Sequence, residues 1–185
     1  MNKQSDVLVT LHNLFESSCF EVFESLQCQL EKVDQTHNTL AAPTASIEAT
    51  SNDINIKLVL RGPVSILKKT YPAKEDLQKI KPDELDDWLS ELANRFMGHL
   101  KNKLLPYEHT LQLGIPVKQE SEHSESALSK GVLGENFQSL TLYFDIASEV
   151  FECSLHTQIL NKDISFTYNQ TNDDSETDDG ELEFF

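Results

Sequence analysis

PDELDDWLSELANRFMGHLKNKLL, residues 82–105, carries the clearest helix signals in the chain. Leu85, Leu89, Leu92, Phe96, Leu100 and Leu104 recur at three- and four-residue steps, which lays one apolar stripe along a helix. Pro82 stands where a first helical residue belongs, with Asp83 and Glu84 beside it. Lys101 and Lys103 fall in the last turn and Pro106 stops it, so charge matches the helix dipole at both ends. At about 100° per residue, Asp87, Glu91, Asn94, Gly98 and Asn102 gather on the face opposite the stripe.

The chain has 185 residues, enough for one domain with a substantial core. A net charge of −16 argues against unaided binding to nucleic acid or to an anionic membrane surface. No apolar run reaches the length of a membrane span, and residues 1–20 lack a signal peptide's charged-then-apolar layout. Cys19, Cys28 and Cys153 form neither a pairing framework nor a metal spacing, so they read as reduced thiols of a cytoplasmic protein. No histidine pair has ligand spacing, and no metal site is expected.

Outward from the central helix, residues 7–33 keep a helical spacing of Leu8, Leu11, Phe15, Cys19, Val22, Leu26, Leu30 and Val33. Ala45, Ile47 and Ala49 alternate with polar residues as a short strand, and Asn52-Asp53 reads as a turn. Ile54, Ile56, Leu58 and Leu60 make a second strand, broken by Arg61-Gly62-Pro63. Residues 64–67 read as a third strand of a meander, and residues 72–80 as a short helix. Past Pro106, residues 110–117 suggest a strand, 118–136 a polar connector, and 138–146 and 150–159 two strong strands. Ile164, Ser165 and Phe166 suggest a weak last strand. The expected organisation is a folded domain over residues 1–168 and an acidic, disordered tail over 169–185 ending in Leu182-Glu183-Phe184-Phe185. The fold class is α+β, a largely antiparallel sheet with two long helices on one face.

The chemistry available is narrow. There is no Gly-x-Ser-x-Gly, no phosphate-cradling glycine loop, no His-Glu-x-x-His and no local Cys-His pairing. What remains is a carboxylate and a carboxamide three residues apart on an exposed helical face. An amide orients a water molecule by donating and accepting at once, yet cannot deprotonate it. Such a group suits a reaction governed by positioning, as phosphoryl transfer is. The carboxylate suits a partner's lysine or arginine and so fixes docking register. Gly98 admits a close approach one turn further on, and Arg95 and Asn102 border the same surface. The Glu-x-x-Asn pattern by itself also fits ordinary surface residues.

Asp87-x-x-x-Glu91-x-x-Asn94 resembles the signature of the chemotaxis phosphatases of the CheC/CheX/FliY family. Glu91-Leu92-Ala93-Asn94 with Gly98, Lys101 and Leu104-Leu105, and the strand ending at Pro116, look like the CheX branch. The resemblance spans roughly residues 7–160. It implies a protein phosphatase that hydrolyses the aspartyl-phosphate of a CheY-like response regulator. Asn94 would orient the attacking water and Glu91 would meet the partner's active-site lysine. Asp87, Arg95, Gly98 and Asn102 would contact the partner, and Mg²⁺ would belong to the regulator. Many CheC and FliY relatives carry a second Glu-x-x-Asn on the first helix. Here Glu21-Val22-Phe23-Glu24 lacks the asparagine, which implies one site per chain. The analogy extends to a homodimer through strand pairing, although the sequence marks no edge strand. Two other functions stay open: a non-catalytic docking module of the same fold, and a protein that acts through its acidic tail on a basic groove.

Overall fold

The computed structural model describes residues 3–34, 42–72, 79–119 and 137–167. In chain order these form α1 (Lys3–Ser25), β1 (Glu31–Val33), β2 (Thr44–Thr50), β3 (Ile54–Arg61), α2 (Val64–Thr70), α3 (Pro82–Leu104), β4 (Gln112–Leu113), β5 (Val117–Gln119), β6 (Gln138–Asp145) and β7 (Val150–Ile159). The strands build one sheet in the order β1-β6-β7-β3-β2-β4, with β5 also on β2, and every pairing is antiparallel. The α+β architecture is the one read from the sequence.

Period-two alternation sorts the sheet into two faces. Ala45, Ile47 and Ala49 of β2, Ile54, Ile56, Leu58 and Leu60 of β3, and Phe151, Cys153 and Leu155 of β7 join the core. α1 adds Val7, Leu11, Phe15, Cys19, Val22 and Phe23, and α3 adds its whole apolar stripe plus Trp88, Ala93 and Met97. The centre is aromatic. Phe23 of α1 packs on Phe96 of α3, Phe144 of β6 and Phe151 of β7, with centroids 5.2, 5.8 and 5.3 Å apart. The three cysteines are free, buried thiols, and burial pushes the Cys153 thiol up.

α3 runs almost as its sequence dictates. The Lys81 backbone N–H donates to the Glu84 carboxylate at 2.8 Å, the reach-back half of a capping box. At the far end Glu108 turns left-handed, at φ 63°, and the His109 N–H donates to Leu104 O at 3.2 Å. α3 is tied to α1 by Lys103, whose ammonium reaches Glu21 Oε1 at 2.6 Å. That contact holds the Glu21 carboxyl below its ordinary range.

Several expectations are corrected. The first helix ends at Ser25, not near Val33. Gln27 sits at φ 57°, its N–H donates to Glu24 O, and the Cys28 N–H donates to Phe23 O at 3.0 Å. This is a Schellman ending, closed by the burial of Cys28. Glu31–Val33 then pairs with β6. Residues 64–67 form no third strand but begin α2. Pro63 has no N–H to give a ladder, and its fixed φ starts the helix, which buries Ile66, Leu67 and Thr70. Gly62 before it lies against the Phe151 ring, with which any β-carbon would collide.

The strand expected over 110–117 is split. β4 and β5 pair separately with opposite ends of β2, and Ile115 between them is 86% exposed. Lys118 and Gln119, expected in the connector, belong to β5. Residues 164–166 form no strand, although Ile164 enters the core. Most of the helix expected over 72–80, the rest of the connector and the tail over 169–185 lie outside the described residues.

The β6–β7 hairpin turns on Ala147 and Ser148, both left-handed at φ 58° and 66°. A two-residue turn with both residues left-handed is type I′, which favours Asn-Gly, and left-handed backbone costs a non-glycine residue about 1–2 kcal/mol. Replacing Ala147→Asn together with Ser148→Gly should therefore stabilise the fold by about 1–2 kcal/mol, read as a higher thermal midpoint. An unchanged midpoint would show that the turn carries no strain.

Candidate functional site

The polar face of α3 is formed as its spacing requires. Leu85, Leu89, Leu92, Phe96, Leu100 and Leu104 are buried, and Asp87, Glu91, Arg95 and Asn102 are exposed. Asn94 and Gly98 are half-buried on the same side. The Asn94 carboxamide makes no hydrogen bond to any described residue, so both its donor and acceptor remain available. A β-carbon at Gly98 would meet nothing within 4 Å, so the internal packing does not require a glycine there.

Glu91 is exposed but not solitary. Its Oε1 accepts from Arg95 Nε at 3.0 Å, one helical turn on. The Arg95 guanidinium also lies 5.0 Å from the centroid of the Trp88 ring. Trp88 in turn donates from Nε1 to Thr70 Oγ1 of α2 at 2.9 Å. Asp87 accepts from Lys118 Nζ of β5 at 2.6 Å, and that carboxylate raises the lysine's affinity for its proton. Asp87 and Arg95 thus have partners inside the chain, while Asn94 and Asn102 have none among the described residues.

Sequence reasoning missed Trp88 and Lys118. Trp88 stands seven residues before Arg95, two turns away on one side of the helix, which is a readable signal. Nothing local places Lys118 beside Asp87. On α1, Glu21 is engaged by Lys103, and no asparagine follows at the third position.

A cleft of about 350 Å³ lies past the end of α3, lined by Asp53, Tyr107, His109, Asn161, Ile164 and Ser165, and includes none of these residues. Among the described residues no three His, Cys, Asp or Glu side chains are placed to hold a metal ion. No helix there is long and apolar enough to cross a membrane. The face offers a carboxylate, a free carboxamide and room beside a glycine, which suits the surface of another protein.

No protein-family model and no curated protein matches the chain. Solved structures do. The chemotaxis protein CheX from Vibrio vulnificus superposes with a TM-score of 0.61 at 12% identity, over 80% of this chain and 96% of that one. The chain has the CheX fold. A CheX–CheY complex with BeF3 and Mg²⁺ from Borrelia burgdorferi has a TM-score of 0.57 at 9% identity, over 79% of this chain and 96% of that one. The FliM middle domain from H. pylori also shares the CheX fold, with a TM-score of 0.56 at 11% identity, over 84% of this chain and 92% of that one. At these identities the likeness speaks for the CheX fold alone.

Proposed function

We propose that α3 docks on a phosphorylated CheY-like response regulator and speeds hydrolysis of its aspartyl-phosphate. The observation that carries this is the unpartnered Asn94 carboxamide, presented beside Glu91 on an exposed face of the CheX fold. Asn94 aligns a water with the phosphorus, accepting one of its hydrogens while donating to a neighbouring oxygen. Water's oxygen bonds to phosphorus, the bond to the aspartyl oxygen breaks, and the water's proton passes to the released phosphate. The rate gain comes from alignment, since an amide takes no proton. Glu91 sets the register by pairing with the partner's lysine. Mg²⁺ arrives with the partner, where it neutralises phosphoryl charge.

The Glu91–Arg95 pair does not block this. Both side chains are nearly half exposed, at 48% and 42%, and such i,i+4 pairs are worth about 0.3–0.5 kcal/mol. A charge-assisted bond to a buried lysine is worth about 1.5–3 kcal/mol. Glu91→Ala should therefore raise the concentration for half-maximal phosphate loss about 10–100-fold, with Glu91→Lys weaker still through repulsion. Mixing each variant with a phosphorylated CheY-like regulator and following phosphate tests this. Wild-type behaviour of both variants would remove Glu91 from the interface. A second reading is a module of the same fold that docks without hydrolysis, since the match to the FliM middle domain places this fold beyond proteins named CheX. Its mark would be tight binding with an unaltered rate of phosphate loss.

A further inference from the structure

Arg95 neighbours the proposed water-orienting residue, yet its side chain is already held from two sides. Its Nε donates to Glu91 Oε1 at 3.0 Å, and its guanidinium lies 5.0 Å from the Trp88 ring centroid. Trp88 is 4% exposed and fixed by its bond to Thr70, with Tyr71 packed edge-on at 6.0 Å. Thr70 donates to the Ile66 and Leu67 carbonyls, which roots the series in α2. A short series therefore runs from α2 through Trp88 and Arg95 to one oxygen of Glu91. The other oxygen, Oε2, has no partner among the described residues.

We propose that Arg95 is a positioning residue. It holds the Glu91 carboxylate in one rotamer by Oε1 and leaves Oε2 aimed at solvent for an incoming ammonium group. Arg95 is then not a direct contact for the partner. The inference rests on the docking role given to Glu91 above. Guanidinium suits the task because its planar fork stacks on the indole while its Nε stays free to donate. Pre-ordering by an exposed i,i+4 pair corresponds to about a twofold gain in affinity. Lys101 and Lys103 lie on the next turns of α3. Lys103 is engaged by Glu21, which leaves Arg95 as the cation that reaches Glu91.

The test is a double-substitution cycle read by phosphate loss from a phosphorylated CheY-like regulator. Arg95→Ala should raise the half-maximal concentration about twofold at an unchanged saturating rate. In a Glu91→Ala background the same substitution should leave that concentration unchanged. Arg95→Lys, which keeps the charge, should recover part of the loss. Equal effects in both backgrounds, or none in the wild type, overturn the proposal. Trp88 is the single tryptophan, so its emission gives a second readout independent of hydrolysis. Glu91→Ala removes the acceptor of Arg95 and should move the emission toward that of Arg95→Ala. A wild-type protein that leaves phosphate loss unaltered overturns the phosphatase reading. Unchanged emission in Glu91→Ala overturns the link between the two side chains.

Discussion

Asn94→Ala is expected to lower the acceleration of phosphate loss about a hundredfold or more, because misplacing a reacting water is penalised at that scale. Folding stability should hold or rise slightly. The carboxamide has no hydrogen bond to lose among the described residues, and alanine is a better helix former than asparagine by roughly half a kcal/mol. A thermal melt beside the phosphate assay separates the two readouts. A residue kept for structure would show the reverse pattern, with stability lost and rate retained. Binding to the phosphorylated regulator should persist, since the proposal gives the docking register to Glu91. An active Asn94→Ala protein would leave the proposed mechanism without its central group.

Phe23→Ala should produce the largest loss of stability, about 3–5 kcal/mol. Phe23 is fully buried and its ring meets Phe96, Phe144 and Phe151, so one deletion opens a void between both long helices and two strands. Edge-on aromatic contacts add about 0.5–1.5 kcal/mol each beyond the buried area. Denaturant unfolding should show a lower midpoint. A loss below about 1 kcal/mol would mean that the core collapses around the gap.

Some of this was legible in the residues and some was not, for physical reasons. α3 was legible because period, caps and terminal charges agree along one segment. The alternating faces of β2, β3, β6 and β7 were legible because one side of each packs under the helices. The end of α1 was not. Leu26, Leu30 and Val33 continue a helical spacing, and the stop is made by Gln27, a residue with no turn preference. Val64 and Ile66 look like strand residues, and only Pro63 and the burial of Thr70 mark the helix. The polar face of α3 followed from geometry. The hold of Thr70 on Trp88 and of Lys118 on Asp87 did not, because those partners lie 18 and 31 residues away along the chain.

The two sides of the sheet end in interrupted pieces. β1 has three residues, and beyond β2 the pairing breaks into two- and three-residue strands, with Gly114 and Pro116 in the gap. A long, flat, unpaired strand is a template on which other chains add. Among the described residues β1, β4 and β5 each offer no more than three residues of ladder, and proline cannot donate. Those outer pieces are thereby poor templates for neighbouring molecules, and among the described residues the longer open edge is residues 138–142 of β6, beyond the reach of β1.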